Sequence, residues 1–235
     1  MKPRVAALIV ALIVSYVSCY AQASTYTFRK ASADGIGKFY FGREIAHVMD
    51  ASGGSWLERD ERQQEENTKL AIEKIILNNN GVVADIGAGT GYYSFRLAEK
   101  FPKGKVYAVE VQDAFIDYLN KKKASLKDTV VEVVKGNAQS PNLPINSIDL
   151  AIMVDVYHEL EFPHEMLQAI RKALKPHGKI LFIEYRGEDI SIPIKPIHKT
   201  TVVQLNRELK ANGFKLYQRE EMLPIQHFLL YEKSN

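Results

Sequence analysis

From about Leu70 onward, short β-branched runs alternate with longer segments of helical periodicity, the signature of an α/β fold around a mostly parallel sheet. The pattern predicts strands at 82–86, 106–111, 130–135, 150–154 and 180–185, with helices near 93–99, 114–124 and 165–174 between them. The rhythm changes near the end. A helix at 201–211, stopped by Asn212-Gly213, leads into two strands at 214–219 and 226–231. Strands joined by so short a link pair antiparallel. The expectation is a Rossmann-like α/β domain: a seven-stranded, mostly parallel sheet with an antiparallel last strand and helices on both faces.

Upstream, residues 42–67 are rich in charge and glycine and hold Trp56, the only tryptophan. The charged run from Glu58 to Glu66 reads as the solvated start of a helix that continues through Leu70, Ile72 and Ile76. At the N-terminus, Lys2 and Arg4 precede an apolar run at 5–17, and Ala21-Gln22-Ala23 offers a small-x-small cleavage site before Ser24. This is the pattern of a secretory signal peptide. The run falls short of the ~20 residues of a spanning helix, so an uncleaved anchor is the alternative. The chain then divides into a signal peptide (1–23), a leader and possible lid (24–69) and a main domain (70–235), exported to the periplasm or secreted.

Export changes the charge balance. The chain carries +3, but losing Lys2 and Arg4 leaves 29 basic against 28 acidic residues, or +1 over 212. No basic stripe interleaved with aromatics remains, and Lys121-Lys122-Lys123 ends a helix, where cations favour the dipole. Nucleic acid is therefore not an expected partner. The single cysteine, Cys19, lies within the signal, so a cleaved chain has no thiol for catalysis, metal ligation or a disulfide. Tyr16 stands where a lipid-attachment site usually has an aliphatic residue, which disfavours lipidation of Cys19.

The densest chemical signal is Asp85-Ile86-Gly87-Ala88-Gly89-Thr90-Gly91, where a buried strand ends and a helix begins. Such a turn lets backbone N–H groups approach a ligand without Cβ obstruction. The next strand ends in Glu110, 23 positions after Gly87, in the range where an acid binds a ribose diol. A dinucleotide fold would put its third glycine one place later, where this chain has Tyr92. Asp85 would also repel pyrophosphate, whereas an ammonium-bearing ligand suits it.

These residues resemble motif I and the acidic ribose-binding position of the class I S-adenosylmethionine-dependent methyltransferases. The resemblance extends over about Leu70 to Tyr231. It takes in Asp149 to Leu160 around strand four and Leu174-Lys175-Pro176-His177-Gly178 in the turn into strand five. It implies that Gly87, Gly89 and Gly91 line the methionine end of S-adenosyl-L-methionine, that Asp85 faces its ammonium region and that Glu110 holds the ribose. Many members place an aspartate after strand three against the adenine. Here Asn137 is the candidate, with Gln139 as a neighbour that can share the contact.

After strand four comes Asp155-Val156-Tyr157-His158-Glu159, at a strand end where ligand crevices of open α/β sheets lie. Asp155 is counted with the cofactor contacts as well as with the reacting groups. His158 is the first candidate for a base that takes a proton from a small-molecule methyl acceptor, with Glu159 or Asp155 orienting it. The alternative is that His158 caps the following turn and packs against the cofactor. His198 and Arg186, from a proline-stiffened insertion and the end of strand five, are expected to meet an acidic or hydroxylated substrate. No metal is expected: relatives that methylate catechols carry an Asp-Asn pair after strand five, where this chain has Glu184-Tyr185, and the six histidines lack the H-x-x-x-H spacing. A nicotinamide-dependent oxidoreductase and an exported binding protein without turnover are the competing readings.

Overall fold

The structure, a computed structural model, describes residues 25–234. The signal peptide expected at 1–23, with Cys19, lies outside the described residues. No helix among them is long and apolar enough to cross a membrane.

The described residues open with a feature that the hydrophobic pattern did not predict, a small antiparallel sheet of β1 (Thr27–Phe28), β2 (Gly35–Tyr40) and β3 (Arg43–Ala46). Strands β2 and β3 are joined by Phe41-Gly42, both at positive φ (49° and 89°), as a two-residue type I′ hairpin requires. Two short helices follow, α1 (Gly54–Leu57) and α2 (Arg62–Glu66), and then α3 (Thr68–Lys74). The continuous helix expected from Glu58 to Ile76 is therefore broken. Asn67 takes a left-handed conformation (φ 53°), ending α2 and capping α3 through its side chain. Its upstream charges are a solvated face only in part: Asp60, Glu61 and Glu65 are exposed, but Arg62 and Glu66 are buried.

The main sheet holds β4 (Val82–Ile86), β5 (Lys105–Glu110), β6 (Val131–Lys135), β7 (Ile148–Val154), β8 (Leu174–Tyr185), β9 (Phe214–Glu220) and β10 (Gln226–Lys233). Their order is β6-β5-β4-β7-β8-β10-β9, and β10 alone runs against its neighbours, as expected. Strand β8 begins earlier than expected, at Leu174, with a register shift against β7 near its start. Helices α4 (Tyr92–Lys100), α5 (Asp113–Leu126), α6 (Pro163–Ala173) and α7 (Val202–Ala211) complete the layers.

Alternation along β4 feeds two cores. Val83 packs with Ile72, Phe95 and Leu119 from α3, α4 and α5, while Ala84 and Ile86 pack with Leu167, Ile170 and Leu205 from α6 and α7. The chain leaves β4 for β5 on one side and returns to β7 on the other, so the crevice beyond the carboxyl ends of β4 and β7 is the topological switch point.

Candidate active site

At that switch point lies a cavity of about 420 Å³, lined by the β4–α4 loop, the end of β5, the loop after β7, residues of 48–66 and residues of 193–198. Its floor is the glycine loop. Gly87 and Gly89 sit at positive φ (74° and 53°), and a Cβ on either would lie 2.7 Å from a neighbour: both γ-carbons of Val156 for Gly87, Leu57 Cδ1 for Gly89. Only glycine combines that backbone with that approach. Gly91 also lines the turn but faces away from the cavity, against Phe95 and Leu119 at the N-terminus of α4.

Glu110 fastens the loop to β5. Its Oε2 accepts the Gly89 N–H (2.9 Å), and its Oε1 accepts those of Val111 (2.7 Å) and Gln112 (3.0 Å). An ionised carboxylate has about four acceptor sites, so capacity for a further donor remains on the cavity side. Asn137 also lines the cavity, but its carbonyl accepts the Gln139 N–H at 2.9 Å. Asp85 does not line it. It is buried behind the loop and accepts the Ser94 hydroxyl at 2.6 Å. Burial pushes its carboxyl up to about 6, with the Ser94 hydrogen bond opposing the rise.

Across the cavity, Asp155, His158, Glu159 and His198 come together as cavity-wall residues. Asp155 takes a left-handed conformation (φ 53°) and accepts Gln226 Nε2 through Oδ2 at 2.6 Å, while its buried Oδ1 has no protein partner. Burial, then the charges of Glu66 and Glu184, hold its carboxyl well above the ordinary range. His158 is buried, and its Nδ1 lies 2.8 Å from Glu184 Oε2. Burial alone would lower its pKa, but the Glu184 charge, the hydrogen bond to Glu184 and the nearby Glu159 charge raise it to about 10. The carboxylates beside it favour positive charge at this position, which counts against the free general base expected of His158. Glu159 is the opposite case. Burial opposes its charge, yet the two histidines hold it down at about 2.

Several residues that matter here had no signal of their own. Glu184 is fully buried and accepts the N–H groups of Val156 and Tyr157 as well as orienting His158, the part expected of Glu159 or Asp155. Glu66 accepts from Arg59 (2.7 Å), Arg62 (2.8 Å) and the Tyr185 hydroxyl (2.9 Å), and all four residues line the cavity. The spacing of Arg62 and Glu66 by four was the one available hint. Arg186, expected at the substrate, instead donates to the carbonyls of Leu223 and Pro224. The small N-terminal sheet braces the site: Arg43 on β3 makes a paired salt bridge to buried Glu208 (2.9 Å) and donates to the His158 carbonyl (3.1 Å).

Sheet order, glycine loop and a strand-end acid at the switch point define the class I, S-adenosylmethionine-dependent methyltransferase architecture. Residues 84–182 match the family model described as a methyltransferase domain. The chain is 25% identical over 157 residues to an uncharacterised methyltransferase-like protein of Schizosaccharomyces pombe, covering 67% of this chain and 57% of that relative. It is 29% identical over 105 residues to the malonyl-acyl-carrier-protein O-methyltransferase of Priestia megaterium, covering 45% and 37%. It therefore spans about half or less of the length of these curated relatives. Among solved structures, an S-adenosylmethionine-dependent methyltransferase from Aquifex aeolicus has the same fold, with a TM-score of 0.73 at 24% identity over 78% of this chain and 98% of that one. Residues 84–182 thus match a methyltransferase domain within a class I fold, and S-adenosyl-L-methionine is the cofactor that this match and the solved neighbour imply.

Proposed function

We propose that this chain transfers the methyl group of S-adenosyl-L-methionine to an oxygen, nitrogen or carbon nucleophile of a small molecule. The observation that carries the reading is one cavity bounded by the Gly87–Gly89 backbone and Glu110 on one side and by Asp155, His158, Glu159 and His198 on the other. The wall fits the cofactor on two counts: a cradle that a Cβ would fill, and a buried Asp155 oxygen without a protein partner. In this reading the glycine loop takes the methionine end, Glu110 the ribose and Asn137 the adenine. Asp155 Oδ1 takes the ammonium group. Asp85 acts from behind, through Ser94 and the start of α4.

The cofactor supplies a methyl group activated by its sulfonium. The chain's task is to hold acceptor and cofactor in line and to keep water out. Trp56, Leu57, Pro193 and Ile194 supply apolar wall from the leader and the insertion, which favours their reading as lids over a small acceptor. A cavity of this size lies within the range of small-molecule sites, about 300–1,000 Å³. A balance of +1 without the signal also favours a small acceptor over nucleic acid. Residues 1–23 support a protein that works outside the cytoplasm.

The test is incubation of the purified chain with methyl-labelled cofactor and fractionated small-molecule extract. The expected result is label in a low-molecular-mass product, abolished by Glu110→Ala. Label only in protein or nucleic acid would refute the small-molecule acceptor.

A further inference from the structure

His158, Glu159 and His198 each offer one ligand-capable atom, and these atoms lie within 4.8 Å of one another. Glu159 Oε1 stands 3.7 Å from His158 Nε2 and 3.6 Å from His198 Nδ1. Both separations exceed the about 2.7–3.2 Å of a nitrogen–oxygen hydrogen bond. Both come close to the about 3.3–3.4 Å edge of a tetrahedron drawn around a metal with bonds of about 2.0–2.1 Å. We propose that His158, Glu159 and His198 form a mononuclear site for a divalent transition metal of the zinc class, open to the acceptor cavity.

The surroundings are those a metal ligand needs. Nδ1 of His158 is committed to Glu184 Oε2 at 2.8 Å, which leaves Nε2 as the ligand atom and gives the carboxylate–histidine–metal relay seen around bound metals. Glu184 is itself held by two backbone N–H groups, so the relay is anchored to the loop after β7. The second oxygen of Glu159 accepts the Met49 N–H at 3.2 Å, while Oε1 is the one nearer both histidines. His198 comes from a single-turn helix, Pro196–His198, whose first residue is proline.

Charge points the same way. Among the described residues, no lysine or arginine ion pair reaches Glu159 or Glu184; their ion-pair partners are the two histidines. Two imidazoles and one carboxylate suit borderline metals rather than magnesium or calcium, which prefer all-oxygen shells. The three ligands line the same cavity as Gly87 and Gly89, so the remaining coordination position faces the space assigned to the acceptor. A hydroxyl or amine bound there would have its proton affinity lowered by the cation, the work otherwise asked of a base. Histidine-spacing rules do not find this site because two ligands are adjacent and the third lies forty positions away.

The inference extends the reading of the same cavity, but its test needs neither cofactor nor turnover, so the two can fail separately. The full chain is stripped with chelator and titrated with Co²⁺, followed by its visible absorption, and metal content is measured after loading with Zn²⁺. The expected results are one ion per chain and affinity at least tenfold weaker in His198→Ala. Glu184→Gln, which keeps the ligands, should weaken binding about 10–100-fold. His177→Ala, at an exposed position outside the cavity, should bind as the unaltered chain does. His198 is partly exposed, and thermal melts should show its variant folded. Failure of the unaltered chain to bind one ion, or a folded His198→Ala with undiminished affinity, would overturn the proposal.

Discussion

Replacing Asp85 by asparagine should reshape the pH dependence of stability in a calculable way. The carboxyl is 3% exposed, and burial lifts its pKa from 3.8 to about 6. That difference corresponds to about 3 kcal/mol. Between pH 3.8 and 6 the folded chain keeps a proton that the unfolded chain has released, so stability falls as pH rises through this window and stays low above it. The stabilising contribution is complete below pH 3.8 and lost above about 6. Asparagine cannot titrate, and it leaves a constant offset from its new amide hydrogens. The gap between variant and parent stability should therefore move by about 2.4 kcal/mol in the variant's favour between pH 4 and 8, whatever that offset is. Urea denaturation of both proteins at intervals across this range reads the gap directly. A gap constant to within about 0.5 kcal/mol would refute the assignment of Asp85 as a buried carboxyl with a raised pKa.

Arg43→Ala strands Glu208 as a fully buried carboxylate and should cost about 3–5 kcal/mol, read as a lower urea midpoint; a cost under about 1 kcal/mol would contradict the bracing role of β3. Gly87→Ala puts a side chain at a left-handed position (φ 74°) and drives its methyl group into Val156, a stiff β-branched neighbour, and should lower the melting temperature. Gly89→Ala meets only the far end of Leu57, so it should melt closer to the parent yet bind cofactor less tightly. Intact-mass measurement of the natively expressed protein should give a chain beginning at Ser24, and a mass retaining Met1 would contradict the export reading.

The doubly wound sheet was legible because its strands are dense β-branched runs separated by glycine and helical periodicity. The loop from Asp85 to Gly91 was legible because its glycines answer a steric demand that no other residue meets. The β2–β3 hairpin was not, since Phe41-Gly42 makes a type I′ turn without the usual asparagine or aspartate. The run from Arg59 to Glu66 misled because charges four apart can face water or one another, and here Arg62 and Glu66 close on each other beneath the leader. Glu184 carried no pattern at all. Its importance comes from the parallel pairing of β7 and β8, which sets it beside the loop that holds His158.

The central claim is that the crevice bounded by Gly87, Gly89 and Glu110 binds S-adenosyl-L-methionine. Calorimetric titration of the full chain with that cofactor tests it most directly. The account predicts one site per chain, with affinity at least tenfold weaker in Glu110→Ala. No measurable binding, or a folded Glu110→Ala variant that binds as tightly as its parent, would contradict it.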